Sequence, residues 1–161
     1  MRYLIFALLL MAPLFASATI KPVDHVVVYK SKGLMQLKRD GRVVKSYKVV
    51  FGKNPRGHKV QQGDQRTPEG RYTLDWKNPK SRFYRSIHIS YPNKRDRARA
   101  ARLGVDPGGD IMIHGMKPQW KGMEKYLQKM NWTAGCIAVT NREMDEIWAM
   151  VKTPTTIDIY P

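Results

Sequence analysis

A single cysteine, Cys136, and a histidine, His114, are the two residues of this sequence best suited to covalent chemistry. A cysteine thiolate is a strong nucleophile, and a neighbouring imidazole can accept the proton of the thiol. His114 ends an apolar run that predicts a strand, and Gly115 follows it. We therefore expect Cys136 to attack a carbonyl with His114 as its base. Taken alone, either residue could instead have a purely structural role in the core.

Two glycines flank these reactive residues. Gly135 directly precedes Cys136, and a glycine there allows a tight turn that brings backbone N–H groups near the reacting carbonyl. We expect the N–H groups of Gly135 and Cys136 to form an oxyanion hole, because such donors stabilise the negatively charged oxygen of the transition state. Gly115 is expected to pack closely beside His114.

The first 18 residues have the pattern of a secretory signal peptide. Arg2 precedes an apolar stretch at residues 4–15, and Ala-Ser-Ala follows at residues 16–18. That stretch is shorter than the roughly 20 residues needed to span a bilayer. We predict cleavage after Ala18, a periplasmic location and no transmembrane span in the mature chain, with an uncleaved anchor as the alternative. An unpaired cysteine is unusual in an exported protein, which favours a reactive role for Cys136.

The chain is strongly basic, with 29 Lys and Arg against 13 Asp and Glu and a net charge of +16. Such a charge favours polyanionic or acidic partners. Because export argues against nucleic acid, anionic lipid head groups and the carboxylate-bearing cell wall are the better candidates, and improved solubility alone is the other explanation. His58 and His88 do not combine with Cys136 in a known ligand spacing, so no metal site is predicted.

The elements that must position these residues are mostly strands. Residues 19–161 have the length of one domain, and the predicted class is mainly β with α, that is α+β. Asp40-Gly41 predicts a hairpin turn, and residues 52–70 predict a long loop that is either a lid over the cysteine or a surface connection. Strands are predicted at residues 25–29, 34–37, 42–51, 71–76, 86–90, 110–114 and 155–160. Helices are predicted at residues 93–103, at 120–130, and from the capping pair Thr140 and Glu143 to a stop at Pro154.

Two short motifs resemble the signature of YkuD-type L,D-transpeptidases. The first is IMIHG at residues 111–115, and the second is TAGCI at residues 133–137. Three further segments are similar to the YafK-like branch of that family: GHK at residues 57–59, GD at 63–64 and RTPEGRY at 66–72. The resemblance extends over nearly all of the chain after the predicted signal peptide.

The resemblance implies a fold, a substrate and residue roles. The fold would be a mixed β-sandwich or barrel with a few short helices, and the substrates would be peptidoglycan stem peptides, with no cofactor. Cys136 would be the nucleophile, His114 with Gly115 the base site, and Gly135 with Cys136 the oxyanion hole. In this family the cysteine attacks the carbonyl of an L-centre that precedes a D-residue, and the thioester then passes to an amine.

Two other functions remain open from the sequence. The first is hydrolysis of the thioester by water, as an L,D-carboxypeptidase or as an L,D-endopeptidase that detaches stem residues or a wall-bound lipoprotein. The second is a basic wall-binding protein without catalysis. The basic segment at residues 94–99 could serve such binding or could simply be a solvated helix face.

The sequence departs from the common family pattern at two positions near the cysteine. Ala134 replaces a second histidine, and Ala138 replaces an arginine suited to a substrate carboxylate. Four other arginines could supply that charge: Arg71, Arg82, Arg85 and Arg142. The candidate substrate contacts are Thr133, Trp132, Arg85 and Arg142.

Overall fold

The computed structural model describes residues 21–161, so the predicted signal peptide at residues 1–18 lies outside the described residues. The described chain forms one eight-stranded mixed sheet, curled into a half-barrel, with a few short helices. This arrangement confirms the predicted α+β class. The elements are β1 (Val23–Tyr29), β2 (Leu34–Arg39), β3 (Arg42–Lys48), β4 (Gly70–Ser81), β5 (Tyr84–Ile89), α1 (Lys94–Leu103), β6 (Met112–His114), α2 (Glu124–Leu127), β7 (Ile137–Ala138), α3 (Asn141–Met150) and β8 (Val151–Tyr160). No helix within residues 21–161 has the length and apolar character needed to cross a bilayer.

The strand order is β3-β2-β1-β8-β4-β5-β6-β7. The pairs β1–β8 and β6–β7 are parallel, and the other neighbours are antiparallel. The chain beyond β3 returns to the far edge, where Val50 and Ala138 exchange two backbone hydrogen bonds of 3.1 and 2.9 Å. This bridge joins the two ends of the strand order and curls the sheet.

The core lies inside the curled sheet and beneath α3. Alternate residues of β1, Val26 and Val28, face inwards and are fully buried, as the period of two in a strand requires. Met144 and Ile147 of α3 pack into the same cluster from one side. Each such side chain contributes roughly 1.5–3 kcal/mol by leaving water, so the core fixes the sheet on which the reactive residues lie.

Several predicted boundaries differ from the structure for local reasons. The helix predicted at residues 120–130 is reduced to a 3-10 turn at Pro118–Trp120 and the four-residue α2, because Gly122 at φ +88° interrupts the helical path. The strand predicted from residue 110 begins only at β6, since Asp110 has φ +54°. Pro154 lies inside β8 rather than ending α3, which stops at Met150 where the chain enters β8 directly.

The long loop predicted at residues 52–70 is held in place by buried charges. The Lys30 ammonium donates to the carbonyl oxygens of Gly57 and Thr67 and to the Glu69 carboxylate, at 2.6–3.0 Å. Asp64 accepts hydrogen bonds from the Lys59 ammonium and from three backbone N–H groups of the loop. These contacts make the loop a wall of the half-barrel in this structure.

The capping box at the start of α3 gives a test of the fold. The Thr140 hydroxyl accepts from the Glu143 N–H, and the Glu143 carboxylate accepts from the Thr140 N–H at 2.8 Å. We expect Thr140→Ala to lower the free energy of unfolding by about 1 kcal/mol, because it leaves a helix N–H without its cap. Urea denaturation followed by circular dichroism measures the change. Thr140→Ser is the matched control and should retain most of the stability; equal losses in both variants would contradict the capping role.

Candidate active site

Cys136 and His114 lie on the same face of the sheet. Strands β6 and β7 are parallel neighbours in which Ile113 pairs with Ile137. Both isoleucines are buried in the core, so the alternation of side chains turns His114 and Cys136 to the opposite face. These two residues line a common cleft of about 230 Å³, called here the small cleft. The structure thus brings the predicted nucleophile and base together.

The His114 ring is oriented by the backbone of the next residue. Its Nδ1 lies 2.6 Å from the Gly115 carbonyl oxygen, so Nδ1 carries the proton and donates it to that oxygen. The other nitrogen, Nε2, is left as the one that can accept a proton. His114 is 3% exposed, so this hydrogen bond lies in a buried environment.

Asn141, the first residue of α3, fixes the turn that follows the histidine. Its side-chain oxygen accepts the Met116 N–H at 2.6 Å, and it occupies the space that a Cβ on Gly115 would need. Gly115 is therefore required for close packing, as predicted. The sequence analysis did not identify the contact of Asn141 with the His114 turn, because the capping pattern around Asn141 indicates only the start of a helix.

Aromatic rings enclose the imidazole. Phe83 stacks on His114 with a centroid distance of 4.5 Å, and Trp132 lies 5.7 Å from the same ring. Trp120 packs edge-to-face against Trp132 at 5.0 Å. Trp132 is thus a neighbour of the base, and Phe83 was not predicted because it lies in the two-residue connection between β4 and β5.

Burial keeps the resting pair neutral. It lowers the pKa of His114 to about 4, with the Gly115 hydrogen bond opposing the shift and the Arg82 charge adding to it. Burial likewise raises the pKa of the Cys136 thiol, which donates a weak 3.6 Å hydrogen bond to the Asp110 carbonyl. The arrangement therefore suits a neutral imidazole that removes the thiol proton during attack, rather than a standing thiolate–imidazolium pair.

The turn before the nucleophile requires glycine and is braced by Thr133. Gly135 has φ +134°, and a Cβ there would lie 2.6 Å from the Arg66 carbonyl oxygen. The buried Thr133 hydroxyl accepts the Gly135 N–H at 3.1 Å and donates to the Cys136 carbonyl at 2.7 Å. Both hydrogen bonds of the Thr133 hydroxyl are thus made within the protein, and Thr133 is not placed as a substrate contact. The Gly135 N–H, one of the two predicted oxyanion donors, is already engaged.

The structure does not bring Arg85 or Arg142 to Cys136. The Arg85 side chain lies on the α3 side of β5 and forms a 2.9 Å ion pair with Asp145, because its neighbour Ser86 faces the small cleft instead. The Arg142 side chain is 92% exposed on the surface of α3.

The other two candidate arginines, Arg71 and Arg82, have different surroundings. Arg71 is bound to Asp158 through two hydrogen bonds of 2.8 Å. Arg82, at the tip of the β4–β5 connection, lines the small cleft beside Cys136.

A second cleft of about 770 Å³, called here the large cleft, also reaches Cys136. The long loop contributes Lys59 and Gln62 to its wall. The large and small clefts share three residues: Arg82, Asp110 and Cys136. Within residues 21–161, no group of three or more His, Cys, Asp and Glu side chains is arranged to hold a metal ion. The two clefts thus meet at Cys136.

The neutral state of the pair can be tested by alkylating Cys136, the only cysteine of the chain. Because the folded pKa of the thiol is raised, we expect the rate of iodoacetamide modification to rise with a midpoint at higher pH than in the urea-unfolded chain. Intact mass measured from pH 5 to 10 gives both midpoints. A rate plateau between pH 5 and 7 in the folded protein would instead reveal a thiolate–imidazolium pair.

The Thr133 brace makes a second prediction about the site. Thr133→Val removes both hydrogen bonds at constant shape, and we expect acylation of Cys136 by a carbapenem-type β-lactam to slow about 10- to 100-fold, as expected for loss of buried hydrogen bonds. Intact mass spectrometry measures the acylation rate. Thr133→Ser keeps the hydroxyl and should stay within a few-fold of the wild type, whereas equal rates in all three proteins would rule out the brace.

Comparison with known proteins agrees with this geometry. The YkuD family model, described as the L,D-transpeptidase catalytic domain, matches residues 23–159. YafK of Escherichia coli (strain K12), provisionally named an L,D-transpeptidase, is 31% identical over 129 residues. That alignment covers 74% of this chain and 45% of YafK, so the chain spans about half the length of this relative.

Solved structures show the same fold. Pgp2, a helical cell shape determining protein of Campylobacter jejuni, is 25% identical with a TM-score of 0.67 over 89% of this chain and 51% of Pgp2. Bd1075 of Bdellovibrio bacteriovorus has a TM-score of 0.61 at 21% identity, over 88% of this chain and 51% of Bd1075, and supports the fold alone. Since the family model covers most of the residues and the curated relative shares 31% identity, the chain belongs to the YkuD family of L,D-transpeptidase catalytic domains.

Proposed function

We propose that this protein is a periplasmic cysteine acyltransferase that remodels peptidoglycan stem peptides. The observation that carries the proposal is the meeting of two clefts at Cys136, beside a buried neutral histidine. Family membership supports the substrate class. The predicted signal peptide supports the location, and the similarity to Pgp2, a helical cell shape determining protein, supports an effect of such remodelling on cell shape.

The first half-reaction forms a thioester. His114 Nε2 takes the Cys136 thiol proton as the sulfur attacks the carbonyl of the L-centre residue, and negative charge moves to the carbonyl oxygen. Because the Gly135 N–H already donates to Thr133, the Cys136 N–H is the better donor of the two for that oxygen. When the intermediate collapses, the C–N bond breaks and the imidazolium returns its proton to the leaving amine.

The second half-reaction releases the acyl group. An acceptor amine attacks the thioester carbonyl while His114 takes a proton from its nitrogen. The C–S bond then breaks, the new amide leaves, and the imidazolium protonates the sulfur. Two clefts that share Cys136 favour transfer over hydrolysis, since one can hold the acyl donor while the other admits the amine.

Muropeptide analysis tests this proposal directly. We expect the purified protein, incubated with tetrapeptide stems and an added D-amino acid, to form a thioester on Cys136, exchange the terminal D-residue and produce new cross-links. Intact mass spectrometry detects the thioester, and chromatography with mass spectrometry detects the products. Cys136→Ala is the control and should show neither adduct nor product.

Two other results would each contradict a part of the proposal. Shortened stems without exchange or cross-links would show that water is the acceptor, and the enzyme would then be a carboxypeptidase or endopeptidase. An unmodified Cys136 together with unchanged muropeptides would refute catalysis and leave a wall-binding protein.

A further inference from the structure

Arg82 lies at the tip of a hairpin beside Cys136, a position that the sequence alone does not indicate. It lies in the two-residue connection of the β4–β5 hairpin, since Ser81 pairs with Tyr84. This short connection carries the side chain to the point where the small and large clefts meet at Cys136. Arg82 is therefore one of the few residues that both openings share.

The guanidinium of Arg82 is positioned but not neutralised. It lies over the Phe83 ring, with 5.2 Å from Cζ to the ring centroid, and Phe83 in turn stacks on His114. No carboxylate within residues 21–161 forms an ion pair with Arg82, including Asp110 of the shared cleft wall. An exposed arginine held on an aromatic face keeps its donors available for an incoming anion.

The charge of Arg82 is also felt at the reacting atoms. It lowers the pKa of His114 and opposes the upward shift of the Cys136 pKa, although burial dominates both. The geometric basis for contact is that Arg82 and Cys136 together line both clefts, so a substrate group next to the scissile bond lies within reach of the guanidinium.

Among the described residues, Lys59 is the one other Lys or Arg that lines either cleft, and it is engaged elsewhere. Lys59 of the large cleft is 3% exposed and donates to the Asp64 carboxylate and the Gln61 carbonyl. Lys117 lies outside both linings, with its ammonium over the Phe83 and Trp120 rings at 5.6 and 5.1 Å. Position 138, two residues after the cysteine, is a fully buried alanine. Arg71 and Arg85 are paired with aspartates.

We propose that Arg82 binds the free carboxylate of the terminal D-residue that Cys136 expels. This inference rests on the proposed function and names a specificity determinant of the same site. The carboxylate of that residue is one carbon away from the leaving nitrogen, so it must lie within a few ångströms of the sulfur during attack. A planar guanidinium can bind it through two parallel hydrogen bonds, which also orients the scissile amide.

The proposal has a consequence for substrate choice. The enzyme would favour stems that end in a free carboxylate immediately after the attacked carbonyl, and it would discriminate against the same stems when that carboxylate is an amide. Arg82 would act by positioning and recognition, while His114 and Cys136 perform the covalent steps.

The experiment compares two tetrapeptide stems that differ only in a C-terminal carboxylate or carboxamide. We expect wild-type kcat/KM for release of the terminal residue to fall about 10- to 100-fold on amidation, as for loss of a charge-assisted hydrogen-bond pair. With the free acid, kcat/KM of Arg82→Gln should be lower than that of the wild type by a similar factor. With the amide, the variant and the wild type should have similar kcat/KM. Arg82→Lys should fall between the two with the free acid.

The controls separate this proposal from its alternatives. Arg102→Gln removes the same charge from an exposed site on α1 and should behave as the wild type, which excludes an effect of net charge. The role of Arg82 would be overturned if Arg82→Gln lowered kcat/KM, relative to the wild type, by the same factor for the acid and the amide stem, or lowered it for neither. Either result would leave the acyltransferase proposal intact. If neither the stems nor a carbapenem acylates Cys136 of the wild type, the proposed function itself is overturned. Thermal melting confirms that each variant is folded.

Discussion

The short strand β7 is the constraint on which the site depends. It contains only Ile137 and Ala138, yet it is hydrogen-bonded to β6 on one side and to Val50 on the other. The first pairing sets the register that brings Cys136 to the same face as His114. The second pairing draws the chain after β3 against the nucleophile segment and so allows the long loop to form a wall beside the sulfur.

Burial then decides how the reactive pair can work. The imidazole is enclosed by Phe83 and Trp132 and bound to the Gly115 carbonyl, which fixes its tautomer but makes its charged form costly. A thiol that stays protonated at rest is protected from adventitious electrophiles and oxidants, because the thiolate is the reactive form.

Local sequence signals predicted local structure well and long-range contacts poorly. The β-branched run of β1, the Asp40-Gly41 turn and the capping box at Thr140 all depend on neighbouring residues, and the structure contains each of them. The reactive cysteine and histidine were found by their chemistry and their flanking glycines. Arg82 was among the four candidate arginines, but its place at a hairpin tip was not predicted because Pro79 interrupts the strand pattern. β4 has no β8 partner at Pro79 and tolerates it there. Asn141 was missed because its contact with the His114 turn exists only in the folded chain.

The bond between the Thr67 hydroxyl and the Gly135 carbonyl spans 68 residues of sequence. The bridge that closes the sheet, and the parallel pairing of β1 with β8, are also between distant segments. Contacts of this kind form late, because the chain must close long loops before they become favourable. A partly folded chain therefore carries the cysteine before the base, the glycine turn and the clefts are assembled around it. The site is therefore assembled only in the complete fold, whereas the Cys136 thiol of an incomplete chain lacks the burial that raises its pKa and is the more easily alkylated.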